Sequence, residues 1–346
     1  MLIRETPRGL YCAAGDFYVD PWRPVDRAVV SHAHADHARP GSQHYLASEE
    51  SVWVLRRRLQ SGADIQTLPY NTPCTINGVQ VSFHPAGHIL GSAQVRIEHR
   101  GEVWVLSGDY KIEPDTTCTP FEPVRCHTFV TESTFGLPVY RWGPTRLVAE
   151  VLNRWWQQVA AEGRNAVVFA YALGKAQRVL SLVDPGIGPI YCHGAVQHVN
   201  EDYRQTGRPL PATSLPPESS RREKCRGALV IAPPGAAGSP WLRRFGEAAT
   251  AMASGWMAIR GLRRRRGVDR GFVISDHADW PGLLAAIRST GAERVLVTHG
   301  STTALSRYLR EQGLASESLN TEYRGEQLVE SENETGSEPP AESEAS

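Results

Sequence analysis

The chain has 346 residues, 41% hydrophobic and 21% charged, which is room for about two domains and excludes collagen-like, coiled-coil and wholly disordered classes. Its 37 basic residues balance 37 acidic ones, a neutral total that argues against a polyanionic partner only if charge is evenly spread. It is not: residues 331–346, SENETGSEPPAESEAS, carry five Glu and no Lys or Arg, the pattern of a disordered acidic tail, and without them 37 basic face 32 acidic residues, a net +5.

Only Lys111, Lys175 and Lys224 are lysines and the other 34 basic residues are arginines. Arg binds phosphate bidentately, but a GC-rich genome explains the total equally well, so only local clusters carry weight. The six cysteines form no C-x-x-C pair, which predicts free thiols in a reducing cytosol. The first residues lack the apolar core of a signal peptide, and no apolar stretch reaches the ~18–20 residues of a membrane helix, so a cytoplasmic protein without membrane contact is expected.

In chain order, short apolar runs separated by Gly, Pro and Asn predict strands at 17–19, 27–30, 79–83, 93–97, 103–106 and 128–130. Leu147, Val148, Val151, Leu152, Trp155, Trp156 and Val159 recur at helical spacing over 144–161. Strands at 166–172, 189–192 and 228–232 then alternate with helices at 174–182 and 196–205, which argues for a parallel sheet, and 207–227 is a polar surface loop. A strand at 271–275, a helix opened by Asp279 as cap with Pro281 in its first turn, a strand at 294–299 and a helix at 302–311 complete the reading.

The chemistry concentrates in Ser31-His32-Ala33-His34-Ala35-Asp36-His37, directly after a strand. Neutral imidazoles suit a borderline metal and Asp adds a hard oxygen donor. This segment resembles the signature of the metallo-β-lactamase superfamily, which implies an αβ/βα sandwich of two mixed sheets with metals at one edge. The further His and Asp that the superfamily calls for stand at His88 and Asp109, each at the end of a predicted strand. Its earlier acidic position matches Asp20, which would orient a ligand by hydrogen bonding; Asp26 competes for that role.

Three more segments narrow the resemblance to the β-CASP nucleases of this superfamily: Thr131-Glu132-Ser133-Thr134-Phe135-Gly136, Gly174-Lys175-Ala176-Gln177, and the histidine motifs around His277 and His299. The run 254–284 and the compact size are closest to bacterial ligase-associated exonucleases. The architecture implied is a first domain over 1–136, an inserted α/β cap over 137–267, a return to the first domain over 268–330, and the tail. It also implies two divalent ions, Zn2+ or else Mn2+, with His32, His34 and His88 on one, Asp36, His37 and His299 on the other, and Asp109 bridging. His277, oriented by Glu132, would act on the leaving oxygen.

Between Trp241 and Arg270 eight arginines, among them Arg263, Arg264, Arg265 and Arg266, face two acids, a stripe that with Lys175 and Trp256 is expected to contact nucleic acid; a solvated basic turn and a buried Trp are the plainer alternatives. His299 matches ribonucleases of the group, whereas the ligase-associated resemblance favours DNA, with an ATP-dependent ligase and a helicase as functional partners. An inactive scaffold and a small-molecule hydrolase are disfavoured by the complete ligand set and by the insertion.

Overall fold

Alternating apolar residues in the first half of the chain build two mixed sheets. The structure, a computed structural model, describes residues 1–59, 62–217, 225–265 and 267–323, without the side chains at 262, 263 and 265. The acidic tail, Arg266 and the side chains of Arg263 and Arg265 therefore lie outside the described residues. One sheet has six strands in chain order: Ile3–Thr6, Gly9–Cys12, Phe17–Val19, Arg27–Val29, His44–Ser48 and Asp64–Leu68. The first three pair antiparallel and the rest parallel.

The second sheet runs Ala315–Ser318, Arg294–Gly300, Thr128–Ser133, Glu102–Leu106, Ala93–His99, Val79–Pro85, Cys74–Ile76. It is parallel as far as Glu102–Leu106 and antiparallel beyond. Phe17, Val19, Val29 and Leu46 of the first sheet share one buried core with Val81, Phe83, Val95 and Trp104 of the second. The outer face of the first sheet is covered by helices Val52–Arg58 and Gly194–Gln205, and that of the second by helices Trp280–Thr290 and Thr302–Glu311. The order is helix, sheet, sheet, helix, so each apolar face is buried once.

A third sheet is wholly parallel: Ile190–Cys192, Leu229–Ala232, Asn165–Phe169, Ala248–Ala253 and Arg270–Phe272. Its central strand NAVVF is buried on both faces, as a near-continuous apolar run requires. Helix Thr145–Ala161 lays Leu152, Trp155, Trp156 and Val159 on one of them. This sheet is spliced between Thr128–Ser133 and Arg294–Gly300, which are hydrogen-bonded neighbours in the second sheet. Arg270–Phe272 pairs with Ala251–Ala253 at one edge of the third sheet.

The segment AATAMA, Ala248–Ala253, has almost no β-branched residues and gave no strand signal, yet it lies between two parallel partners. Pairing and burial override a weak local preference there. Asp279 does cap its helix, accepting from the Gly282 amide at 2.9 Å. No helix among the described residues is long and apolar enough to cross a membrane.

Candidate metal centre

The His-rich segment leaves strand Arg27–Val29 and is pinned from behind by Asp20. The Ser31 amide and hydroxyl both donate to the Asp20 carboxylate, at 2.7 and 2.5 Å, and His37 donates to it from Nδ1 at 2.7 Å. Since the Ser31 hydroxyl proton goes to Asp20, His32 Nδ1, 3.0 Å from that hydroxyl, must donate to it. Both rings therefore turn Nε2 to the opposite side, where it has no hydrogen-bond partner. Asp20, not Asp26, holds this orienting position; Asp26 is exposed beside Arg27.

His88 and Asp109 each follow a glycine with positive φ. A Cβ on Gly87 would sit 2.2 Å from the Lys111 carbonyl, and one on Gly108 2.7 Å from the Ser31 hydroxyl, so only glycine lets these turns close. His88 donates from Nδ1 to the Asp276 carbonyl at 2.8 Å, and His34 from Nε2 to the Leu173 carbonyl at 3.3 Å. Carbonyls can only accept. The remaining nitrogens, His34 Nδ1 and His88 Nε2, are thus lone pairs facing each other 3.0 Å apart, an arrangement that calls for a cation between them.

Asp109 stands at the middle. Its Oδ2 is 3.5 Å from His32 Nε2 and 3.7 Å from the Nε2 atoms of His37 and His88, and its Oδ1 is 3.4 Å from His299 Nδ1. Asp36 is 3.9 Å from His37 Nε2. His32 Nε2, His37 Nε2, both nitrogens of His299 and Asp109 Oδ1 are buried without a hydrogen-bond partner. Buried polar atoms are ordinarily paired, and four unpartnered ring nitrogens around one carboxylate that has an unpartnered oxygen of its own fit a metal-ligand set. Ligand atoms converge as His32, His34, His88 and Asp109 in one group and as Asp36, His37 and His299 in another. His299 itself sits at φ +59°, a strained backbone position that aims its ring inward.

The protonation states of His34, His88 and Asp109 agree with this fit, whereas His37 and His299, both raised, would have to give up a proton to serve as ligands. Burial, with the charge of His32, lowers His34 to about 4, and burial with His277 and His34 holds His88 well below its usual value, so both are neutral donors. Burial would raise Asp109, but His299, His37 and His277 outweigh it and keep the carboxylate ionised. Burial works against a charge on His37, yet Asp109, Asp36 and Asp20 outweigh it and raise His37 to about 10. Such crowding of carboxylates is what a divalent cation would take over.

His277 borders the same space, its ring 4.6 Å from that of His88. Its Nδ1 lies 2.9 and 2.8 Å from the two oxygens of Glu132, a carboxylate fixed in turn by the Tyr110 amide at 2.8 Å and the Thr134 hydroxyl at 2.5 Å. Burial pulls the imidazole pKa down, but Glu132 and then Asp109 outweigh it and lift it to about 10.

Other sequence expectations are placed differently. Lys175, expected on the nucleic-acid surface, is fully buried, and its ammonium pairs with Asp276 at 2.8 Å. A shielded ammonium with a carboxylate partner is part of the interior, which corrects that expectation. Trp256 packs against Phe135 and Tyr140, at ring distances of 4.8 and 5.5 Å, in an aromatic group that reaches His277. Arg264 is exposed.

Sequence reasoning missed two neighbours of the centre. Asp276, one residue before His277, gives its carbonyl to His88 and its carboxylate to Lys175. Tyr323, at the end of the described chain, stacks on His37 with centroids 4.4 Å apart and planes at 9°, and its hydroxyl donates to the Asp20 carbonyl at 3.3 Å. Nothing local in the sequence announces that contact.

No family model matches the chain. It is similar to a probable DNA ligase of Opitutus terrae, 32% identical over 308 residues that cover 88% of this chain and 30% of that protein. The endoribonuclease ysh1 of Aspergillus fumigatus is 33% identical over 124 residues, 35% of this chain and 14% of its own length. The endoribonuclease ysh-1 of Neurospora crassa is 27% identical over 161 residues, 46% of this chain and 19% of its own. The chain thus spans under a third of the length of these curated relatives. A solved protein of unknown function from Enterococcus faecalis V583 shares the fold, with a TM-score of 0.59 at 12% identity over 87% of this chain and 80% of that one. The chain is thus similar to parts of a probable DNA ligase and of two endoribonucleases, and its buried His/Asp clusters are consistent with a metal site.

Proposed function

We propose that the chain is a metal-dependent nuclease that hydrolyses DNA phosphodiester bonds, an exonuclease working in repair alongside a DNA ligase. The observation that carries this reading is the ring of bare, buried donor atoms around Asp109, with the Glu132–His277 pair at its rim. The similarity to a probable DNA ligase over most of the chain favours DNA and a ligase setting.

His32, His34 and His88 would hold one divalent ion, Zn2+ or Mn2+, and Asp36, His37 and His299 a second, with Asp109 reaching both. When bound, such a pair supplies activation of water and stabilisation of charge at phosphorus. The chain's own residues do the rest. Asp20, Ser31 and the Asp276 carbonyl fix which ring nitrogens point inward. Glu132 holds a proton on His277 next to the space where a leaving oxygen would need one. Part of the raised pKa of His277 comes from Asp109, the carboxylate that would also hold the ions.

A ribonuclease is the second reading, favoured by the similarity to the two endoribonucleases and by His299. End-labelled single- and double-stranded DNA and RNA, incubated with wild type and with an Asp36→Ala, His37→Ala double variant under Zn2+ or Mn2+, separate the two. Stepwise loss of nucleotides from DNA, abolished in the variant, is the expected result. Cleavage of RNA with DNA left intact overturns the DNA assignment. Purified protein holding well under one metal per chain overturns the metal reading.

A further inference from the structure

His34 and His88 are held from behind by a turn of the third sheet's layer. After strand Asn165–Phe169 the chain turns at 172–174 into helix Lys175–Leu182. Gly174 stands at φ +90°, and a Cβ there would lie 2.2 Å from Ile89 Cγ2 and 3.3 Å from the Asp276 carboxylate. Only glycine lets the turn seat itself so closely against the residue that follows His88. Gln177, fully buried, locks the turn. Its side-chain oxygen accepts from the Gly174 amide at 2.8 Å, and its NH2 group donates to the Ala172 carbonyl at 3.0 Å and to Asn200 at 2.8 Å.

The locked turn meets the centre at three points. The Leu173 carbonyl accepts from His34 Nε2 at 3.3 Å. Lys175 pairs at 2.8 Å with Asp276, whose own carbonyl accepts from His88 Nδ1 at 2.8 Å. Arg178, anchored on Asp115, donates to the Gly87 and His88 carbonyls at 3.4 and 3.0 Å. Both rings and the backbone under His88 therefore take their orientation from residues 173–178.

The other ligand group is fastened elsewhere. Asp20 accepts from His37, Tyr323 stacks on it, and the Ser133 hydroxyl donates to the His299 carbonyl. A histidine ligand is oriented and made more basic by the partner of its outer nitrogen, and losing that partner weakens the metal. The layer that supplies the partner decides which ion is affected.

We propose that Gly174, Lys175, Gln177 and Arg178 are positioning residues for the ion held by His32, His34 and His88, and that the ion held by Asp36, His37 and His299 is independent of them. This inference rests on the metal reading given above. One ion site is complete only with the third sheet's layer in place, whereas the other is built by the first two sheets and the segment ending at Tyr323. Asp20 does not separate the two, because through Ser31 it also turns His32.

Two backgrounds of the whole chain isolate the sites: Asp36→Ala, His37→Ala, which keeps the first ligand group, and His34→Ala, His88→Ala, which keeps the second. Gln177→Ala and Arg178→Lys are added to each, Zn2+ affinity is read by competition with a chromogenic chelator, and a thermal melt without metal checks folding. In the first background each addition should weaken Zn2+ about 10–100-fold; in the second it should leave the affinity unaltered. Tyr323→Ala should do the reverse. Arg178→Lys keeps a charge beside Asp115 while giving up the reach to the two carbonyls, and it decides the matter if Gln177→Ala fails to fold. Added to wild type, each change should cut the ions retained against the chelator from two to one, a count that decides if a background binds no Zn2+.

Equal weakening in both backgrounds, no weakening in either, or a wild-type count that stays at two or falls to none overturns the positioning role while leaving the metals in place. Wild type that holds well under one ion per chain overturns the metal reading and this inference with it.

Discussion

Two clusters of buried charge meet at Asp276, and they are satisfied in opposite ways. Behind the centre, the Asp276 carboxylate pairs with Lys175, and Arg178 pairs with Asp115 while donating to the Gly87 and His88 carbonyls at 3.4 and 3.0 Å. Lys111 reaches the Ser275 carbonyl at 3.0 Å and Glu113 at 3.3 Å. In the centre itself the imidazole and carboxylate tips converge on one another bare. Each charged side chain behind the centre has an ion-pair partner within the chain, although the Arg178 Nε makes no hydrogen bond of its own; unpartnered tips that converge around one carboxylate mark where something from outside belongs. Asp276 joins the two by giving its carbonyl to His88 and its carboxylate to Lys175.

Variants can break this contrast from either side. The largest expected effect is on chemistry: His277→Ala should lower kcat by about 10²–10⁴-fold, roughly 2.7–5.4 kcal/mol, with metal content unchanged. A loss of metal in that variant would instead make His277 a ligand. Next is the paired cluster. Lys175→Met leaves Asp276 buried with its ion pair broken and should cost about 3–5 kcal/mol in urea unfolding, most of it recovered when Asp276→Leu is added. A loss under about 1 kcal/mol would show that water reaches the pair.

Smaller effects are expected one layer out from the ligands. Asp20→Ala removes the acceptor that fixes His37 and should weaken metal affinity about 10–100-fold, read by competition with a chromogenic chelator. Unaltered affinity would place His37 outside the metal site. Tyr323→Phe keeps the stack on His37 and loses only the hydrogen bond to Asp20, a change of about 1 kcal/mol or less in stability. Tyr323→Ala, which also removes the ring, should weaken metal binding more than the Phe variant does; equal values would show that the stack plays no part in holding His37.

Much of the centre was legible because its parts are short in sequence. His32 to His37 lie in one loop after one strand, and Gly87-His88 and Gly108-Asp109 sit at strand ends whose glycines mark tight turns. The Asp279 cap and the helix Thr302–Glu311 were legible for the same reason. Ala248–Ala253 and the strand His44–Ser48 were not, because small or mixed side chains carry little strand signal and their conformation is set by neighbouring strands.

The sequence by itself determined which donor atoms the chain owns and that four of them leave a single loop. Only the tertiary structure decided that Lys175 faces Asp276 in the interior across 101 residues and that Tyr323 covers His37. The physical reason is range. A loop's own backbone fixes the spacing of ligands five residues apart, whereas contacts between distant segments exist only once sheets have packed and excluded water, and it is that exclusion which turns an ordinary charge into one that must be paired.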